Sequence, residues 1–290
     1  MKVSLIGLGI MGLPMAKHLE RSGHLTKVYN RTRAKAADFE GTQIQVADSP
    51  REAAKAVDLV IIMVSDSADS EDVILGENGV IQGAAPGTIV LDMSSINPEV
   101  SKEIGQKLAE KQVEFLDGPV SGGEQGALDG ALAIMVGGNS ASFAKVEPVL
   151  RVFGKSVTYL GPVGMGGYAK LANQIIVGVE MQAMAEAFTL AKRANLDFDY
   201  LYEAIRYGLA ASAVLDQKIN NVKSGDFTPG FKINLHEKDL KNALLAAEDL
   251  GLSLPFTEQV RDMMLEMIEV GEGELDHSSL YKRLSGGVWD

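Results

Sequence analysis

Lys170 is the residue of this chain that most needs a chemical explanation. It stands in Gly164-Met165-Gly166-Gly167-Tyr168-Ala169-Lys170-Leu171-Ala172-Asn173-Gln174, in the second turn of a predicted, largely apolar helix. Asn173 and Gln174 follow at i+3 and i+4, on the face of the lysine. An ammonium in such a setting must reach water, a partner or a ligand. It can protonate a carbonyl oxygen as hydride arrives at the carbon, and burial lowers its pKa towards the working range. The bland alternative is a lysine whose stem lies along the helix while its charge reaches solvent. A second segment, Asp117-Gly118-Pro119-Val120-Ser121-Gly122-Gly123-Glu124-Gln125-Gly126-Ala127, follows a predicted strand and so lies at the carboxyl edge of a sheet. Its glycines expose backbone N–H groups suited to an anionic carboxylate, and Ser121 adds a hydroxyl donor. Read alone, it is equally a glycine-rich turn kept for backbone geometry. In His236-Glu237-Lys238-Asp239-Leu240-Lys241-Asn242, which opens another predicted helix, Lys238 and Asn242 share a face. Free-standing, such a charge run is ordinarily solvated surface.

A dinucleotide would account for the hydride. Val3-Ser4-Leu5-Ile6 runs into Gly7-Leu8-Gly9-Ile10-Met11-Gly12, and Val28-Tyr29-Asn30-Arg31-Thr32-Arg33 follows some twenty residues later. The order strand, glycine turn, helix start is the one a pyrophosphate needs. Gly7 serves the turn, Gly9 lets the backbone approach the phosphates, and Gly12 lets the helix pack on the strand. The helix over 11–22 points its positive end at the phosphates. Where a carboxylate would read an adenosine ribose stand Asn30, then Arg31 and Arg33. A guanidinium fork suits a 2′-phosphate, so NADP(H) is expected, with NAD(H) as the alternative. Solvent-facing arginines at a helix start are the bland reading.

Other chemistries have little support. Four scattered histidines (His18, His24, His236 and His277) and no cysteine make a metal site, a disulfide or a cysteine nucleophile unexpected. No Ser/His/Asp arrangement suggests itself. A net charge of −12 argues against a sequence-independent nucleic-acid surface. The apolar stretch over 175–194 is broken by Glu180, Glu186, Lys192 and Arg193, so no membrane span is expected. The apolar start lacks the charged region and cleavage site of a signal peptide, and a cytoplasmic location is expected.

These groups must be positioned by two kinds of structure. Over the first 160 residues, predicted strands at 3–6, 25–29, 59–64, 89–91, 114–116, 133–136 and 157–159 alternate with helices such as 50–56, 98–111 and 140–153. That pattern means an α/β, doubly wound, mostly parallel sheet of the Rossmann type. After Gly161-Pro162 no convincing strand appears, and helices are predicted from 164 to about 195, then at 200–208, 213–224, 238–250, 255–269 and 278–284. We therefore expect a Rossmann domain over 1–162 and an all-α domain over 163–290, opened by a long interdomain helix. A helix apolar on most faces needs neighbours on most sides, which points to a homodimer or homotetramer.

Together these segments resemble the β-hydroxyacid dehydrogenase family along essentially the whole chain. Gly7-Leu-Gly-Ile-Met-Gly-Leu-Pro-Met-Ala16 is similar to its cofactor signature, including the Met-Gly-x-x-Met-Ala run, and Asp117-Gly-Pro-Val-Ser-Gly-Gly123 to its substrate-binding segment. The resemblance implies a catalytic role for Lys170, in the matching Gly-x-Gly-x-x-x-Lys pattern. It implies substrate contacts from Ser121, Gly122, Gly123, Asn173 and Lys238. Cofactor contacts are expected from Gly7, Leu8, Gly9, Ile10, Met11, Gly12, Asn30, Arg31, Thr32, Val64, Ser95 and Lys238, with Ser95 beside the nicotinamide.

Lys170-Leu-Ala-Asn-Gln174, Asn234-Leu-His-Glu-Lys-Asp-Leu240 and Asp276-His-Ser-Ser-Leu280 lean towards members that reduce tartronate semialdehyde. Asn30-Arg-Thr32 looks like NADPH-dependent members that reduce glyoxylate and succinic semialdehyde. The implied partner is a small carboxylate-bearing aldehyde or hydroxy acid. A 3-hydroxyisobutyrate-type dehydrogenase, or a non-enzymatic NADP-binding scaffold, is the alternative.

Overall fold

The computed structural model describes residues 1–286 and forms two compact units, Met1–Lys170 and a second that begins at Leu171. The first opens with β1 (Val3–Ile6), α1 (Gly12–Arg21), β2 (Leu25–Tyr29), β3 (Gln45–Val46), α2 (Pro50–Ala54) and β4 (Leu59–Ile62). Next come α3 (Ser67–Leu75), β5 (Ile89–Asp92), α4 (Pro98–Ala109), β6 (Glu114–Asp117) and β7 (Val120–Ser121). It closes with α5 (Gly123–Leu128), β8 (Leu132–Gly138), α6 (Ser140–Leu150) and β9 (Gly154–Gly161), before α7 (Met165–Arg193) begins.

The strands form one sheet in the order β3-β2-β1-β4-β5-β6-β8-β7, with β9 pairing β8. Pairs from β3 across to β6 are parallel, and β8 runs antiparallel to β6 and β7. The chain winds outward in opposite directions from β1 and β4, so the strand order reverses between them. Ligands of open α/β sheets bind at that point, beyond the carboxyl ends of the strands.

The apolar runs explain this topology. β1, β4 and β5 are buried along their whole length, as strands covered by helices on both faces must be. Alternate residues feed two cores: Leu5, Leu59, Ile61 and Leu91 enter one, while Ile6, Val60, Ile62 and Val90 enter the other. Each such side chain contributes about 1.5–3 kcal/mol of burial. Helix starts follow the expected chemistry. Ser49 accepts the N–H of Glu52 before Pro50, and Asn97 accepts that of Glu99 beside Pro98.

The second unit holds the rest of α7 with α8 (Phe198–Ile205), α9 (Ala213–Ser224), α10 (Ile233–Asp249), α11 (Pro255–Glu269) and α12 (Leu280–Ser285). Its core gathers Met181, Ala185 and Phe188 of α7 with Ile219, Leu240, Met264 and Tyr281. Among the described residues no helix is long and apolar enough to cross a membrane.

Several boundaries differ from the sequence reading. The two-residue strands β3 and β7 and the short α5 were not expected; each lies in a polar or glycine-rich stretch that carries no period. Helix α10 starts at Ile233 rather than at Lys238, because Ile233 and His236 are fully buried and tertiary packing draws their turn into the helix. The last helix begins at Leu280, after a 3-10 turn over His277–Ser279.

Candidate active site

Because β1, β4, β5 and β6 are parallel and in register, the segments that follow Ile6, Ile62, Asp92 and Asp117 emerge along one edge. The glycine loop, Val64, Ser95 and the Ser121 segment therefore start from a common line.

The loop after β1 is tightly built. Gly7 has φ +98°, and a Cβ there would lie 2.1 Å from the Met63 carbonyl oxygen. A Cβ at Gly12 would lie 1.8 Å from the Gly7 carbonyl oxygen, so α1 rests on the turn itself. Gly9 is different, because a Cβ there would meet no protein atom within 4 Å. Packing within the chain does not require that glycine, and the open face it leaves fits a backbone approached by a ligand. Helix α1 has no side-chain cap and no acidic residue in its first turn, which suits an anion at its amino end. The residues thus fit a dinucleotide pyrophosphate.

Asn30 is committed to this loop. Its Oδ1 accepts the Leu8 N–H at 2.8 Å and its Nδ2 donates to the Thr32 carbonyl at 2.9 Å, so it braces both segments. Arg31 is 83% exposed and pairs with Asp69 at 3.0 Å, whereas Arg33 pairs with Glu40 and with Asp48 at 2.7 Å. Exposed pairs of this kind contribute about 0–1 kcal/mol, so a phosphate would displace the carboxylates readily. Val64 donates its N–H to the Ser94 hydroxyl at 2.9 Å, while Ser95 is half-buried in the same loop.

Beneath this edge lie two buried carboxylates on neighbouring strands, Asp92 and Asp117, paired in register. Asp92 Oδ1 accepts the Ser94 N–H at 2.9 Å, but Asp92 Oδ2 and Ser70 Oγ, both buried, have no partner in bonding geometry. Burial pushes the Asp92 carboxyl up to about 6; the charge of Asp117 adds to this and the Ser94 donors oppose it. A raised carboxyl favours the folded state fully below its ordinary 3.8, and that contribution is lost as pH rises through about 6. The ionised form then costs about 3 kcal/mol. Asp92→Asn keeps the acceptor for Ser94 and removes the buried charge. It is expected to raise the unfolding free energy by about 2–3 kcal/mol at pH 7.5 and by only about 1 kcal/mol at pH 4.5. Urea melts at both values check this, and an unchanged stability at pH 7.5 would show that the buried charge carries no such cost.

Burial likewise raises the Asp117 carboxyl, against the backbone donors of Gly164 and Gly167. Three residues beyond Gly167 comes Lys170, 8% exposed. Ser121 pairs with Ala133 across β7 and β8, and Gly122 and Gly123 after it are exposed. A Cβ on Gly123 would meet nothing within 4 Å, which leaves its backbone open on that side.

In the helical unit, Asn173 Nδ2 donates to Gln174 Oε1 at 2.9 Å, and Gln174 Nε2 donates to Asp239 Oδ2 at 2.7 Å. The Lys238 ammonium lies 3.0 Å from Asp239 Oδ1, off the hydrogen-bonding direction. Asn173 and Lys238 are thus joined through two buried groups, Gln174 and Asp239, that sequence reasoning left without a role. The adjacent polar residues carried only the signal of a charged helix start. Among the described residues no cluster of histidine and carboxylate side chains could hold a metal ion.

Comparison with known proteins accords with this geometry. Residues 2–161 match the family model of the NAD binding domain of 6-phosphogluconate dehydrogenase. Residues 164–284 match that of the NAD-binding region of NADP-dependent 3-hydroxyisobutyrate dehydrogenase. The chain is 40% identical to 2-hydroxy-3-oxopropionate reductase of Escherichia coli (strain K12), covering 98% of this chain and 97% of that one. It is 31% identical to glyoxylate/succinic semialdehyde reductase 1 of Arabidopsis thaliana, covering 97% of each. Its structure is similar to that of Mycobacterium tuberculosis 3-hydroxyisobutyrate dehydrogenase with L-serine, with a TM-score of 0.89, 28% identity and 98% of each chain covered. With both units matched in order, and with a glycine loop built for a dinucleotide, the chain belongs to the β-hydroxyacid dehydrogenase family, NAD(P)-dependent oxidoreductases that act on CH–OH groups.

Proposed function

We propose that this enzyme is an NADP(H)-preferring reductase of small oxo acids, with tartronate semialdehyde first and glyoxylate or succinic semialdehyde next. The observation that carries the reading is the attachment of the Lys170 helix to the carboxyl end of β6, on the sheet edge where the dinucleotide loop leaves β1. A nicotinamide dinucleotide held by the glycine loop would supply hydride to the carbonyl carbon. Lys170 donates a proton to the carbonyl oxygen, so that C=O becomes CH–OH, and takes one back in the reverse direction. The Ser121 hydroxyl and the N–H groups of Gly122 and Gly123 hold the substrate carboxylate. Asn173 and Lys238 are assigned as further substrate ligands, their side chains set by Gln174 and Asp239. Arg31 is the residue expected to meet the 2′-phosphate; its exposed pairing with Asp69 supports this, since that pair is easily exchanged.

A cytoplasmic homodimer or homotetramer is the form we assign. Apolar side chains left outward on the helical unit support self-association, among them Ile176 and Leu190 of α7 and Tyr200 of α8.

The test is NADPH oxidation with tartronate semialdehyde, glyoxylate, succinic semialdehyde and methylmalonate semialdehyde, repeated with NADH and with Arg31→Ala. NADPH is expected to be favoured at least ~10-fold in kcat/KM, and Arg31→Ala to cost ~10- to 100-fold with NADPH alone, as lost charge-assisted hydrogen bonds do. Equal or better rates with NADH remove the role of Arg31. Preference for methylmalonate semialdehyde shifts the assignment to a 3-hydroxyisobutyrate-type dehydrogenase. Tight NADPH binding without turnover of any carbonyl compound points to a scaffold.

A further inference from the structure

We infer that Asp117 is a positioning residue for the proton transfer: from the end of β6 its carboxylate caps the amino terminus of α7 and so fixes where Lys170 stands. The inference rests on the assignment of Lys170 as the proton donor. Oδ1 accepts the N–H of Gly164 and Oδ2 that of Gly167, each at 2.7 Å. The first N–H groups of a helix have no partner within it. Here the N–H of Gly167, in the first turn, and that of Gly164, just before it, are served by a carboxylate 50 and 47 residues earlier in the chain, at the positive end of the helix dipole.

The surroundings are shaped for that carboxylate. A Cβ on Gly137 would come 2.5 Å from Asp117 Oδ1. One on Gly166 would come 2.8 Å from Oδ2 and 2.3 Å from the Met135 carbonyl oxygen. Glycine at 166 and 167 is therefore compatible with close docking, yet it is a poor helix former. The start of α7 needs an outside anchor, and Asp117 is that anchor. Pro98 packs on the Gly167 side, where a Cβ would lie 3.1 Å from its ring, and Tyr168 donates its hydroxyl to Glu99 at 3.0 Å. The turn carrying Lys170 is thereby held against the ends of β6 and α4.

An aspartate does what its amide cannot. Two oxygens accept from two N–H groups, whereas asparagine has one acceptor and would face the second N–H with an NH2. Asp117→Asn is expected to lower kcat ~10- to 100-fold, the scale of a small misplacement of a catalytic group, with the NADPH Kd and the substrate KM changed less than ~3-fold. In a Lys170→Ala background the same substitution should cost less than ~2-fold more, because its effect runs through the lysine. An equal loss in both backgrounds overturns the inference. If Lys170→Ala alone keeps near wild-type turnover, the proton-donor assignment has failed, and the inference falls with it for that separate reason. Should Asp117→Asn not fold, hydrogen exchange of the wild-type enzyme decides. The Gly164 and Gly167 amides are expected to exchange with the slow core of the sheet; exchange at the rate of an uncapped helix end overturns the cap.

Discussion

Replacing Lys170 by alanine is expected to lower kcat for the best oxo-acid substrate by about 100- to 10,000-fold, the range of a lost general acid, while NADPH binds within about 2-fold of wild type. This corresponds to about 3–5.5 kcal/mol of transition-state stabilisation. The separation of effects follows from the architecture of the first unit. The dinucleotide loop is held by Met63, Gly7 and Asn30, whereas Lys170 stands on a helix anchored by Asp117. Lys170→Arg should not restore the rate, because a guanidinium keeps its proton and spreads its charge over a plane. Steady-state kinetics with fluorescence titration of NADPH checks both statements. Near wild-type turnover by Lys170→Ala would refute the assigned role. A parallel loss of cofactor binding would show the lysine to act on the fold.

Much of this arrangement is legible in the sequence because its signals are local. The strands at Val3–Ile6 and Leu25–Tyr29 coincide with their predicted limits. The dinucleotide loop is readable for the same reason, since strand, glycines and helix are contiguous. What is hidden depends on residues far apart in the chain. Asp117 opens a motif whose visible content is its glycines, yet its carboxylate serves amides 47 and 50 residues later, and no local pattern announces that. Asn30 stands where a ribose reader is expected, and only the folded loop shows its side chain spent on Leu8 and Thr32. His236 reads as part of a charged helix start. In the fold it is fully buried, its Nε2 3.1 Å from the Gln174 carbonyl and its Nδ1 2.9 Å from His277 Nδ1. The carbonyl can only accept, so Nε2 of His236 donates to it, while the two facing Nδ1 atoms share one hydrogen bond. Burial, and then the neighbouring His236, push His277 well below the ordinary histidine range, against the pull of Asp276.

The largest effect on stability is expected next to that pair, at Asp276. This carboxylate is fully buried and holds together three parts of the helical unit. It accepts from the Lys218 ammonium of α9 at 2.8 Å, from the N–H groups of Gly230 and Phe231, and from the N–H and hydroxyl of Ser278. Burial works against its charge, but the neighbouring His277, then the Lys218 ammonium and these donors, outweigh burial and hold the carboxyl at about 2. A lowered carboxylate contributes stability that is present above its ordinary 3.8 and is lost as pH falls through about 2. That contribution is about 2.5 kcal/mol. Alanine removes more than this, because it leaves Lys218, the Ser278 hydroxyl and three backbone amides without their acceptor. Asp276→Ala is therefore expected to lower the unfolding free energy by about 3–5 kcal/mol at neutral pH. The deficit should hold from neutral pH down to about 4.5 and narrow below 3.8, where the unfolded wild-type chain takes up its proton. Urea melts of both proteins across that range measure it. A variant within about 1 kcal/mol of wild type at pH 7 would mean that water replaces the lost acceptor and that the buried carboxylate is not what joins these segments.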